Sequence, residues 1–197
     1  MKLIAHRRNT LADLSATPPA CGVEVDVRSY GDQLIVHHEP FQQGESFDAW
    51  IAAYRHSTLI VNVKEEGLEG RVMQRLLDRG IDDYFFLDQS FPFLLKTALA
   101  GERRCAVRVS EFESLSTALA LAGKVDWVWV DCFTRFPLDK REWLLLTEAG
   151  FRICLVSPEL LGRDAKPEIL AQRQLFSSWG VEPDAVCTKL AMMAAWT

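Results

Sequence analysis

Two acidic residues lie two positions apart in a short apolar segment. Glu24 and Asp26 alternate with valines over residues 22–27. Side chains alternate between the two faces of a strand, so both carboxylates point to the same face. Neighbouring carboxylates raise each other's pKa unless a positive charge lies between them. Their oxygen atoms suit a hard divalent cation, Mg²⁺ or Ca²⁺, and the pair therefore predicts a metal site.

Histidines and an arginine end two other apolar segments. His6 and Arg7 follow the first segment of the chain. His37 and His38 come at the end of another apolar segment, which begins at Leu34. Imidazole changes charge near neutral pH and guanidinium is a permanent cation, so these groups and the acid pair indicate a site for a phosphate ester. A single histidine is more often structural, and alternation along a strand would let only one of His37 and His38 face the site.

Eight short segments are rich in valine, isoleucine, phenylalanine or tryptophan, as strands buried on both faces are. They cover residues 2–6, 22–28, 58–64, 83–87, 104–110, 127–133, 151–157 and 184–188. An additional strand is predicted over residues 34–38, after a tight turn. Helical spacing recurs over residues 47–55, 69–79, 91–100, 114–122, 140–149 and 166–179. The first connection differs, because Pro18 and Pro19 leave room for only a turn or two of helix.

Eight strands alternating with helices predict an α/β fold, a compact (β/α)₈ TIM-type barrel with a trimmed first helix. A doubly wound open sheet is the alternative. No linker or repeat interrupts the pattern, so we expect residues 1–197 to form a single domain. Active sites of such barrels lie at the C-terminal ends of the strands. Further polar residues are predicted there, namely Arg28, Asn62, Lys64, Arg108 and Asp131.

Composition excludes several classes of function. The chain has 197 residues, is 49% hydrophobic and carries a net charge of −5 without a basic cluster, which argues against nucleic-acid binding. No apolar segment reaches the roughly 18 residues of a membrane span or the form of a signal peptide, so we expect no membrane insertion. The five cysteines are widely spaced without a CxxC pair, which favours a reducing compartment and a cytoplasmic protein. The oligomeric state stays open.

The order of these residues resembles the glycerophosphodiester phosphodiesterase family, a branch of the phosphatidylinositol-phospholipase-C-like barrels. That family opens with a strand running into His-Arg and continues with Glu-x-Asp on the next strand. A strand ending in His-Asp follows, and then a strand bearing Glu-x-Lys. The corresponding positions here are His6-Arg7, Glu24-x-Asp26, His38-Glu39 and Asn62-x-Lys64. The match covers the first third of the chain.

The resemblance implies a metal-dependent phosphoric diester hydrolase of lipid metabolism, acting on a glycerophosphodiester or a related phosphoester headgroup. It implies that His6 and His38 are the acid and base. It also implies that Arg7 and Lys64 bind the substrate phosphate. The metal ligands carried over from the family are Glu24, Asp26 and Asn62, with Mg²⁺ or Ca²⁺ as the cation.

Departures from the family pattern leave alternatives. Asn62 stands where the family has an acid, so the metal should bind more weakly. Arg8 replaces the usual glycine, and only Asn9 and Thr10 correspond to the proline-glutamate-asparagine-threonine segment that normally follows. One alternative is a catalytically degenerate barrel that binds a phosphorylated ligand without turnover. Another is cleavage by intramolecular cyclisation of the substrate.

Overall fold

The computed structural model describes all 197 residues, and they form two compact units. The N-terminal unit comprises residues 5–102, and the C-terminal unit comprises residues 1–4 and 103–197. The first strand, β1 (Lys2–Ala5), crosses the boundary between these units. None of the helices combines the length and apolar character needed to cross a lipid bilayer.

Five strands and four helices form the N-terminal unit. The strands are β2 (Gly22–Tyr30), β3 (Gln33–Val36), β4 (Glu45–Ser46), β5 (Leu59–Val63) and β6 (Tyr84–Leu87). The helices are α1 (Leu11–Ala16), α2 (Phe47–Ala53), α3 (Glu69–Asp78) and α4 (Phe91–Leu99). The strand order is β4-β3-β2-β5-β6, in which β2, β5 and β6 are parallel and the β3 pairings are antiparallel.

Strand β2 is buried on both faces, and this places its carboxylates inside the protein. The valines at positions 23, 25 and 27 are fully buried, while Glu24 and Asp26 on the other face are 0% and 1% exposed. The parallel register pairs Asp26 with Asn62 of β5. The alternation read from the sequence therefore sets one apolar and one acidic face on the same strand.

Short helices of this unit begin at polar caps. Thr10 accepts a hydrogen bond from the Asp13 N–H at the start of α1, which has only six residues, as the prolines that follow it predict. Ser46 caps α2 in the same way through the Ala49 N–H. Trp50 of α2 is fully buried, and its indole N–H donates to the carbonyl oxygen of Arg8 at 2.8 Å, which fixes the segment after β1.

The C-terminal unit contains four parallel strands in the order β10-β9-β8-β7, with β1 beside β10. They are β7 (Ala106–Val109), β8 (Trp127–Val130), β9 (Arg152–Val156) and β10 (Ala185–Thr188). The helices are α5 (Leu115–Leu119), α6 (Lys140–Glu148), α7 (Ala165–Trp179) and α8 (Met193–Trp196), with 3-10 turns at Pro158–Leu161 and Leu190–Met192. Asp139 and Glu142 form a reciprocal capping box at α6.

The mixed α/β architecture of parallel strands and intervening helices is confirmed, and each predicted strand and helix is present within a few residues. One boundary that differs bears on the site. The additional strand was expected to reach His38, but β3 ends at Val36. The cause is local, since Nδ1 of His37 accepts the backbone N–H of Glu39 at 3.0 Å and Pro40 cannot donate to a ladder.

Candidate active site

Backbone and amide donors surround the carboxylate of Glu24. The Arg7 N–H donates to its Oε2 at 2.6 Å, and the Asn62 side-chain amide donates to its Oε1 at 2.9 Å. Arg7 adopts a left-handed conformation with φ 54°, a strained geometry for arginine that aims its N–H at Glu24. Burial is the largest effect that raises the pKa of Glu24, and the charge of Asp26 is the second. These two effects raise it to about 7, although the two hydrogen bonds lower it. The groups around Glu24 therefore do not fully stabilise its ionised form.

Two cations lie against Asp26. Nζ of Lys64 is 3.4 Å from its Oδ1, and Nε of Arg7 is 3.5 Å from its Oδ2. Asn9 adds a two-way contact, because its amide donates to Oδ2 at 2.7 Å and its Oδ1 accepts the Asp26 N–H at 3.0 Å. Lys64 also contacts Asp88 at 3.0 Å. Asp26 thus holds the two predicted phosphate-binding side chains in place.

His6 follows β1 and lies beside the acid pair. Its Nε2 is 3.9 Å from Oε2 of Glu24. Burial, reinforced mainly by the positive charge of Arg7, lowers the pKa of His6 to about 4. The imidazole is consequently neutral at neutral pH, so its contact with Glu24 is not an ion pair. A neutral imidazole in this position can accept a proton.

His38 occupies the segment after β3, and its contacts differ from those of His6. Its Nδ1 lies 2.6 Å from a carboxylate oxygen of Glu39, and its carbonyl oxygen accepts a hydrogen bond from Nε of Arg28. His37 contacts the backbone of Glu39 through Nδ1. The structure does not bring His38 or His37 into contact with the carboxylate pair. Because β3 has ended, strand alternation does not decide which imidazole faces the site, and that argument was wrong.

The predicted metal ligands fit a hard cation in part. Asp26 Oδ1 and Asn62 Oδ1 are both buried and receive no hydrogen bond. With Glu24 they offer two carboxylates and one amide oxygen, a donor set of the kind that Mg²⁺ and Ca²⁺ accept. The third member is an amide, and no group of three histidine, cysteine or acidic side chains in the protein could hold a metal ion. Metal binding stays a prediction.

A cavity of about 290 Å³ opens next to Lys64 at the ends of β5 and β6. Asp88, Gln89 and Ser90 form part of its wall. Asp88 has a left-handed backbone with φ 60°, which turns the chain immediately after β6. Its wall also contains Glu65, Glu66 and Glu69, so four carboxylates and a single ammonium group line this cavity.

Sequence reasoning missed two residues that organise this site. Asn9 binds both the backbone and the side chain of Asp26, and Asp88 binds Lys64. Arg28, which was predicted at the end of its strand, binds the His38 carbonyl. Asn9 and Asp88 lie in connecting segments whose course the pattern does not encode.

Two other polar residues predicted at strand ends belong to the C-terminal unit. Arg108 of β7 forms an ion pair with Asp131, and its Nε lies 3.7 Å from Glu113. The indole N–H of Trp129 donates to Asp131 at 3.3 Å. The charges of Arg108 and Asp131 are therefore largely balanced by each other.

Comparison with known proteins gives a likeness in structure only. No protein-family model matches the chain, and no curated protein matches it in sequence. The glycerophosphodiester phosphodiesterase of Agrobacterium tumefaciens superimposes with a TM-score of 0.66 at 15% identity, covering 94% of this chain and 95% of its own. A glycerophosphoryl diester phosphodiesterase of Parabacteroides distasonis gives a TM-score of 0.65 at 15% identity, covering 94% and 81%.

These superpositions define the chain as an α/β protein with the fold of the glycerophosphodiester phosphodiesterases. The resemblance indicated by its N-terminal residues is thereby confirmed at the level of the fold.

Proposed function

We propose that the chain is a divergent glycerophosphodiester phosphodiesterase, a phosphoric diester hydrolase acting on a glycerophosphodiester or a related phosphoester headgroup. One observation carries the proposal: His6, Arg7 and Lys64 converge on the buried pair of Glu24 and Asp26. The shared fold supports it. A neutral base beside two cations is the arrangement that cleavage of an anionic diester requires.

Arg7 and Lys64 bind the phosphate in this proposal. The Arg7 side chain is 45% exposed and keeps donors available, while Lys64 is held between Asp26 and Asp88 beside the cavity. Two cations at the phosphoryl oxygens stabilise the additional negative charge of the transition state.

Two histidines divide the proton transfers. His6 is neutral and accepts a proton from the attacking water. His38 donates a proton to the leaving alkoxide, and its Nδ1 contact with Glu39 orients the ring so that Nε2 is available.

Glu24, Asp26 and Asn62 would hold Mg²⁺ or Ca²⁺ through their oxygen atoms. Such a cation would add positive charge next to the phosphate. The buried Asn62 Oδ1, which receives no hydrogen bond, supports this part of the proposal, as does Asp26 Oδ1, whose one neighbouring cation is the Lys64 ammonium at 3.4 Å.

The proposal includes a single phosphodiesterase-like domain over residues 1–197, with the eight parallel strands closed into a (β/α)₈ barrel. The coverage of 94% of this chain and 95% of the Agrobacterium protein supports it. We also propose a cytoplasmic location, which is supported by five cysteines that are all free thiols.

A turnover assay tests the function. Purified protein is incubated with Mg²⁺ or Ca²⁺, a panel of glycerophosphodiesters and an aryl phosphodiester, and products are followed by phosphorus NMR. We expect cation-dependent release of a phosphomonoester, which the double variant Glu24→Gln/Asp26→Asn should lose. Accumulation of a cyclic phosphate would instead identify intramolecular cyclisation. Absence of turnover on every diester would reject the enzyme.

A non-catalytic binding protein is the second candidate. It is favoured by Asn62, whose amide donates to Glu24 instead of offering a third carboxylate. This candidate predicts that glycerol 3-phosphate binds, as measured by calorimetry, while no diester is cleaved.

A further inference from the structure

Arg28 joins the two segments that carry His38 and Lys64. Its Nε donates to the carbonyl oxygen of His38 at 2.9 Å, and its Nη1 donates to the carbonyl oxygen of Lys64 at 3.1 Å. We infer that Arg28 is a positioning residue, which fixes the backbone of the proton donor His38 relative to the phosphate site. This inference rests on the function proposed above.

Both segments leave the sheet just before the residues that Arg28 holds. The His37 N–H donates to the carbonyl of Asp26 at 3.1 Å, and the Lys64 N–H donates to the carbonyl of Val27 at 3.0 Å. These backbone bonds are made by the two β2 residues that precede Arg28. Arg28 itself pairs with Ile35 within the β2–β3 ladder. Its guanidinium reaches the carbonyl oxygens of His38 and Lys64, which lie beyond the ends of β3 and β5.

The guanidinium group suits this position because it is planar and its N–H donors have fixed directions. One rigid group contacts both carbonyl oxygens, so it sets the distance between the His38 and Lys64 segments. The neighbouring Ser29 also holds the segment that carries Lys64. Its hydroxyl donates to the carboxylate of Glu65 at 2.6 Å, and its N–H donates to the same carboxylate at 3.0 Å.

The two segments depend on Arg28 to different degrees. The ammonium of Lys64 has two further partners, Asp26 at 3.4 Å and Asp88 at 3.0 Å, and these remain if Arg28 is removed. The ring of His38 contacts Glu39, its neighbour in the sequence, and the two would shift together. Loss of the guanidinium should therefore disturb proton transfer more than phosphate binding.

The test compares Arg28→Met with Arg55→Met. Arg55 is a matched control, because it donates to two backbone carbonyls, those of Ala52 at 3.0 Å and Tyr54 at 2.5 Å, in the segment that precedes β5. We expect Arg28→Met to lower kcat by about 10- to 100-fold with little change in KM, since small displacements of a catalytic group have costs of this size. Arg55→Met should retain wild-type kcat, and Arg28→Lys should recover part of the loss.

A double-mutant cycle identifies the residue through which Arg28 acts. Arg28→Met should cause no further loss in a His38→Ala background. The inference is overturned if Arg28→Met keeps kcat within about two-fold of wild type, or if it lowers residual activity by the same factor without His38. If Arg28→Met does not fold, Arg28→Lys enters the same cycle, with a smaller loss that should again vanish in the His38→Ala background.

A second readout separates this inference from the proposed function. If the wild-type protein cleaves no diester, the proposed function fails, and the position of His38 is then followed by NMR of its ring. Displacement of the His38 resonances in Arg28→Met, or in Arg28→Lys, but not in Arg55→Met supports the positioning role. Unchanged His38 resonances in both Arg28 variants overturn it.

Discussion

The amide nitrogen of Asn62 lies 2.9 Å from Oε1 of Glu24, so the residue in the position of a third acid acts as a hydrogen-bond donor. This contact stabilises the ionised form of a buried carboxylate whose pKa burial raises to about 7. At the same time, the Asn62 Oδ1 is buried without a donor. Asn62 thus compensates part of the negative charge that a cation would otherwise balance.

Replacing Asn62 by aspartate tests this balance. Asn62→Asp removes the hydrogen bond to Glu24 and adds a like charge, so the metal-free variant should lose about 1–3 kcal/mol of unfolding free energy. The third carboxylate should in turn strengthen cation binding. We expect a melting temperature below wild type in EDTA and a larger increase on adding Mg²⁺ or Ca²⁺ than wild type gives.

Asn62→Asp is an isosteric substitution. Comparing its melting temperature with and without cation controls for general destabilisation. A variant that melts lower in EDTA and gains nothing from either cation would remove Asn62 from the predicted ligand set.

Lys64 should determine phosphate affinity. Lys64→Met removes the ammonium that lies between Asp26 and Asp88 beside the cavity. We expect the Kd for glycerol 3-phosphate, measured by calorimetry, to increase about 10-fold or more, because a charge-assisted contact contributes about 1.5–3 kcal/mol. The matched control is Lys96→Met, since Lys96 of α4 packs over the Phe93 ring. Equal affinities of the Lys64 variant and wild type would contradict the phosphate-binding role.

The pH dependence of activity should reflect His6. Burial lowers the pKa of His6 to about 4, so the imidazole stays neutral, and able to act as a base, until the pH falls to that value. We therefore expect the acid limb of kcat/KM near pH 4, well below the usual histidine range near 6.5. Circular dichroism over the same pH range excludes unfolding as the cause. An acid limb near pH 6.5 to 7 would mean that His6 is solvated or is not the group that titrates, since Glu24, with a pKa raised to about 7, loses its charge in this range.

Much of the fold and part of the site follow from the sequence, for identifiable reasons. The alternation of valine and acid along β2 encodes one apolar and one acidic face, and it predicted that Glu24 and Asp26 share a face, which the structure buries. The prolines after α1 predicted its short length. Both features depend only on residues that are close in the sequence, so a regular strand or helix converts the pattern directly into structure.

The remaining contacts depend on segments without a repeating geometry. Asn9 reaches Asp26 because the chain after β1 turns through the left-handed backbone of Arg7. His37 ends β3 early through a side-chain contact with the backbone of Glu39. Turns of this kind result from individual hydrogen bonds, which neither periodicity nor propensity specifies.

The adjacent histidines should differ sharply in importance. His38→Ala removes the proposed proton donor and should lower kcat by about 10²–10⁴-fold, the usual contribution of a positioned general acid. His37 contacts the Glu39 backbone through Nδ1 and supports the turn that carries His38. His37→Ala should therefore reduce kcat by less than about 10-fold, because the Arg28 contact with the His38 carbonyl remains. Steady-state kinetics of both variants, with melting temperatures to verify folding, make the comparison. If His37 is essential and His38 dispensable, the acid is His37, and the correspondence with the second family histidine fails.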